Sequence, residues 1–290
     1  MGEGITRDSD SITVRNTERG GILKPAIEQD RSLSDESAAS DWSGLCWTGG
    51  IAALILIGYS LATMVQLVAL GGPPATAAEA FRLLQNNRIV GLLRLDLPTV
   101  LAVPLYYFVF LGLFAALRKT DRANAILATA LAFVGVTLLL ATPTALSMIS
   151  LSEKYAAATT EATKAQLLAA GEAILVTDIW HGTGAIIGGI LVQSGAVLIS
   201  VVMLHSTVFG KITAYLGIVM HGLDLAHIVF GLFLPASGVV LMAIAGPFYP
   251  VWFFLIGRRL LQLAATGSAR RNSAAEIGNG DPPESSALAR

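Results

Sequence analysis

The residues best placed to do chemistry stand in one stretch, His221-Gly-Leu-Asp-Leu-Ala-His227, inside an apolar run at 212–234. His221 and His227 lie three residues to either side of Asp224, which puts the trio within about 120° of one helix face. A carboxylate at the centre of a bilayer costs at least about 2.5 kcal/mol on insertion scales, so Asp224 must face other helices or water. Flanked by imidazoles, it has the makings of a proton acceptor with His221 as its partner. The same trio serves equally well as hydrogen-bonded glue between helices, and the spacing alone leaves both readings open.

The elements that must hold such a group are membrane spans. The 290 residues are 54% hydrophobic and 13% charged, with mean hydropathy +0.66, and a soluble core cannot hide that much apolar surface. A lipid bilayer is the partner this composition demands. The net charge of −1, without any basic stripe, argues against a nucleic-acid partner. One cysteine, Cys46, permits neither an intrachain disulfide nor a thiolate cluster.

A hydrocarbon core of about 30 Å needs about 20 helical residues, and six runs meet that length: 51–70, 97–117, 123–148, 182–204, 212–234 and 238–257. The expected fold is therefore all-α, a polytopic helical bundle of about six spans. Residues 1–43 and 263–290 are polar and read as disordered tails around a membrane domain at 44–262. Lys and Arg set the orientation: Arg118, Lys119, Arg122, Lys211, Arg258 and Arg259 cluster at one set of span ends, which predicts that both termini are cytoplasmic. The two long loops then lie outside. Each contains a helical pattern, at 75–90 and 153–173, whose apolar residues predict amphipathic helices along the membrane surface.

Counting from the middle of each run places Tyr106, Tyr107, Thr137, Gln193, Ser194 and Tyr249 at the depth of Asp224. Gln193 and Tyr106 are the expected polar lining of a substrate or proton site formed with Asp224, His221 and His227. Gly246-Pro-Phe-Tyr-Pro250 lies at the same level, where two prolines remove backbone donors, as in the interrupted helices of transporter sites. A second polar cluster, Asp178 and His181 with Arg94 and Asp96, falls nearer the outer surface and reads as an interfacial salt-bridge ring. Combining Asp178, His181, Asp224 and His227 into one metal set is opposed by their depths, since His181 lies about 6 to 10 Å further out than His227. The same offset opposes axial haem ligation by two histidines. No metal ligand is assigned, and no cofactor is named. Gly184 and Gly188 form a small-xxx-small pattern suited to close helix packing, within the chain or in a homodimer.

No G-x-S-x-G, phosphate-binding Gly-Lys loop, H-E-x-x-H or C-x-x-C occurs. Three function classes therefore stand: small-solute or proton-coupled transport, a structural or regulatory membrane protein, and an intramembrane metal-dependent enzyme. Over about 44–261, with His227-Ile-Val-Phe-Gly-Leu-Phe-Leu-Pro235, Phe248-Tyr-Pro-Val-Trp252 and Gly257-Arg-Arg-Leu260, the chain resembles a family of prokaryotic multi-span integral membrane proteins catalogued as a domain of unknown function. The resemblance implies a plasma-membrane bundle of about six spans, and it brings no catalytic residues.

Overall fold

The computed structural model of the chain describes residues 42–142 and 144–278, and every regular element among them is an α-helix. In chain order the first six are α1 (Ser43–Leu70), α2 (Ala77–Asn86), α3 (Arg88–Arg94), α4 (Leu97–Ala102), α5 (Leu105–Leu117) and α6 (Arg122–Leu140). They are followed by α7 (Ala145–Ala157), α8 (Glu161–Leu175), α9 (Thr183–Leu204), α10 (Lys211–Gly231), α11 (Pro235–Ala245) and α12 (Phe248–Gly278). The chain divides into two compact units. One is Gly44–Ala264; of the other, the described residues 265–278 are helical.

Five helical stretches are long and apolar enough to cross a bilayer: Ser43–Leu70, Leu97–Leu117, Arg122–Ala157, Thr183–Leu204 and Lys211–Gly231. Several of the expected boundaries change: α1 begins at Ser43 where 51 was expected, and the second run is two helices, α4 and α5, with Val103-Pro104 between them. The third run breaks between Leu140 and Ala145, so the residues expected to finish that span begin α7 instead. Hydrophobicity continues through the break, but Pro143 supplies no backbone donor. The sixth run is not one helix. It splits into α11, eleven residues and about 16 Å long, and α12, with Gly246-Pro247 between them. α12 then continues to Gly278, so residues 263–278, expected as tail, are helical; Leu263, Ala264 and Ala265 are good helix formers and carry the helix on. The tail residues 1–41 and 279–290 lie outside the described residues.

α9 is the central helix, lying against α6, α10 and α5. Its glycines explain how close α6 comes. A Cβ on Gly135 would sit 2.5 Å from the Gly188 carbonyl, and one on Gly188 would sit 2.8 Å from the Gly135 carbonyl, so only glycine permits this crossing. Gly184 meets Thr142 on the same side. The small-residue face is thus taken up within the chain, by α6.

Both loops are helical, but each expected helix is two, broken at Asn87 and at residues 158–160, and their apolar faces pack on one another. Ala77, Ala80, Phe81, Leu84, Leu95, Ala145 and Met148 form a buried cluster shared by α2 and α7, with Leu168 and Leu175 of α8 against it. Polar ties cross it: the Ala77 N–H donates to Glu172 Oε1 at 2.8 Å, and the Ser152 hydroxyl donates to the Phe81 carbonyl at 3.3 Å. Helices this short are marginal alone; pooling their apolar faces makes a small cap at one end of the bundle.

Candidate functional site

α10 carries His221 and Asp224 because its polar residues recur on the side turned from Ile212, Tyr215 and Val219, which are exposed. α9 contributes Gln193 and α12 contributes Tyr249, one residue into the helix that begins after Gly246-Pro247. Two groups converge on Asp224 Oδ2 and on each other: Gln193 Nε2 donates at 2.5 Å, the Tyr249 hydroxyl donates at 2.8 Å, and the same Gln193 nitrogen lies 3.1 Å from the Tyr249 oxygen. The other end of the Gln193 amide, Oε1, is 2.6 Å from His221 Nδ1.

These bonds fix the amide and the imidazole. With Gln193 Nε2 committed to a carboxylate, Oε1 is the end that faces His221, and an oxygen acceptor requires a proton on Nδ1. His221 Nε2 is then a bare acceptor. His221 is 1% exposed, and among the described residues Nε2 has no hydrogen-bond partner; nor does the indole N–H of Trp252, also 1% exposed. The two rings meet edge to face, with centroids 4.7 Å apart. Gly217 admits Trp252 to this position, since a Cβ there would lie 2.6 Å from the indole nitrogen and 2.3 Å from the Ser200 hydroxyl.

The expected direct pairing of His221 with Asp224 is therefore replaced by a bridge through Gln193. Tyr106 packs edge to face on Phe253 at 5.9 Å and belongs to the apolar cluster of Val103, Val136 and Val192; it lies within electrostatic reach of Asp224 without bonding to the network. His227, one turn on along α10, also acts on Asp224 electrostatically. Tyr249, expected at the level of Asp224, donates directly to its carboxylate, and Trp252 was visible in the sequence only as one more aromatic. The backbone beside Tyr249 is interrupted: Pro247 leaves the Ala243 carbonyl without its helical donor, while Tyr249 N–H donates to the Gly246 carbonyl in a tight turn at 3.2 Å.

The outer residues do not form a ring. Arg94 pairs with Glu79 at 2.9 Å and donates to the Gly72 carbonyl at 2.8 Å, fastening α2 to the segment after α1. The Ala75 N–H that donates to Glu79, and after it Arg94, hold the Glu79 carboxyl below the ordinary glutamate value. Asp96, 2% exposed, accepts from the Thr144 N–H at 2.5 Å, the Thr144 hydroxyl at 2.9 Å and the Ala145 N–H at 2.9 Å. It caps α7 from 48 residues away. Asp178 Oδ1 accepts from the Trp180 and His181 N–H groups at 2.8 and 2.7 Å and lies 2.9 Å from His181 Nδ1, a local turn at the mouth of α9 with His181 side chain 69% exposed. Asp96 and Asp178 share one shallow crevice with Pro73, Pro74 and Thr144. Among the described residues no three His, Cys, Asp or Glu side chains gather as a metal-ligand set. Comparison with family models, curated proteins and solved structures returned no match for the chain.

Proposed function

We propose that this chain is a multi-span inner-membrane protein in which Asp224 binds and releases a proton in step with the movement of a small solute. The observation that carries this reading is a carboxylate about 20 Å along α10 from Lys211, held by side chains from two other helices beside a helix interruption. Intramembrane carboxylates in such surroundings mark proton or solute paths more often than other parts of a bundle do. The basic ends of α5, α6, α10 and the middle of α12 orient the bundle with that end cytoplasmic and the cap outside.

A packing role is the second reading, and one observation favours it: Gln193 and Tyr249 tie α9, α10 and α12 together through Asp224, while the crevices at Asp96 and at Gln85–Ser152 lie in the cap. Transport in reconstituted vesicles separates the two. With a pH dye inside, a panel of small organic cations, anions and neutral solutes is expected to drive proton movement in the wild type, and folded Asp224→Asn is expected to lose it. Solute movement undiminished in Asp224→Asn would leave only the packing role.

A further inference from the structure

We propose that Gln193 couples the protonation of Asp224 to the tautomer of His221, so that one proton on the carboxylate reverses the hydrogen-bonding character of a buried atom on the far side of the network. This deepens the proton-binding reading above and rests on it.

Each bond in the network makes its own demand on the next. All the described hydrogen bonds of Asp224 reach Oδ2, from Gln193 Nε2 and the Tyr249 hydroxyl. That is the pattern of an ionised carboxylate, which only accepts. Gln193 consequently turns Oε1 to His221, and His221 carries its proton on Nδ1. Once Asp224 is protonated it owns an O–H donor that needs an acceptor among the groups around it. Oδ1 has no described partner, whereas Gln193 Oε1 is one half-turn of the amide away from Oδ2. After that rotation Asp224 O–H donates to Oε1, and the amide N–H2 faces His221 Nδ1. A donor there forces Nδ1 to accept, so the imidazole proton resides on Nε2.

The proton count closes. Asp224 gains one proton from solution; Gln193 gains none; His221 keeps a single N–H, one proton leaving at Nδ1 and one arriving at Nε2 while local opening of the α10–α12 contact admits solvent to the buried ring. The groups facing the pair from neighbouring elements are Tyr249 of α12, Tyr106 of α5 and, on α10 itself, His227. The tyrosine hydroxyl donates or accepts in either state, so it accommodates both arrangements.

The consequence appears at His221 Nε2, which is buried against Trp252 with no partner of its own among the described residues. It is an acceptor while Asp224 is ionised and becomes a donor when Asp224 is protonated. The state of the carboxylate is thereby transmitted to the contact between α10 and α12, where Gly217 and Ser200 leave no slack around the indole. Gln193 is a positioning residue in this scheme, since it takes no proton itself.

Nitrogen-15 NMR of histidine in the full chain, reconstituted in lipid bilayers, reads the tautomer directly. His181, His205 and His227 are assigned by single replacement with Gln. Infrared spectra of the same samples follow the Asp224 carboxyl across the same pH range. The expected result is a reversal of the His221 Nδ1–H to Nε2–H ratio in step with the appearance of the protonated carboxyl, and loss of that correlation in Gln193→Met although its carboxyl still titrates. A carboxyl that titrates while His221 stays Nδ1–H overturns the coupling and leaves the proton-binding reading intact. A His221 that still follows Asp224 in Gln193→Met overturns the role of Gln193. If no carboxyl titrates, the coupling and the proton-binding reading fall together.

Discussion

Two carboxylates in this bundle, Asp96 and Asp224, are held in opposite ways. Asp96 is saturated by the backbone N–H groups of Thr144 and Ala145 together with the Thr144 hydroxyl, and those backbone donors cannot turn away. Asp224 is held by an amide and a phenol, both of which rotate. A carboxylate fixed by peptide groups has a single arrangement of donors and serves the architecture. One held by side chains has a second arrangement within reach, which is what a group that changes its protonation state requires. The same side chain is thus held by fixed backbone donors in the cap and by rotatable side chains among the spans.

The largest effect is expected at Asp96. Asp96→Ala leaves the start of α7 with buried donors and no acceptor, and should cost about 3 kcal/mol or more, measured as lowered thermal stability in detergent, while the pH response of Asp224 stays unchanged. Gly135→Ala drives a methyl group into the Gly188 carbonyl at 2.5 Å; a loss of about 1 to 3 kcal/mol is expected from the same melts. Asp224→Asn should change stability by less than about 1 kcal/mol, the scale of interhelical hydrogen bonds in membranes, despite removing the proton-binding group. A loss comparable to that of Asp96→Ala would erase the distinction between the two carboxylates.

The smallest effect is expected at Glu79. Its carboxyl is held below the ordinary value, first by the Ala75 N–H and then by Arg94. A lowered value means that the contribution is present at neutral pH and disappears as pH falls through and below the usual glutamate range. Hydrogen exchange in α2, corrected for intrinsic rates, should show the cap loosening there, and Glu79→Gln should remove that pH dependence.

The spans were legible because an apolar run of about twenty residues matches the thickness of a bilayer and is longer than a soluble core needs. Counting along those runs put Asp224, Gln193 and Tyr249 at one level, and their side chains do meet. The partnership of Asp96 with Thr144 was not legible. It links positions 48 residues apart, and the hydrophobic run through 148 hid the end of α6 because α7 needs apolar residues too, to cover Phe81 and Leu84. The spacing of His221 and Asp224 located them on one face correctly. It said nothing of χ angles, and these turn the imidazole toward Gln193 and Trp252. Polar residues at the mouths of spans share depth without sharing partners, so Arg94, Asp96, Asp178 and His181 looked like one cluster and are three separate fastenings.

Whether Asp224 takes up a proton is read most directly from the pH-difference infrared spectra of the wild type and Asp224→Asn in lipid. A protonated-carboxyl band that grows as pH falls in the wild type and is missing from the variant is the predicted result. Identical spectra from the two proteins would contradict it and leave Asp224 as a structural tie among α9, α10 and α12.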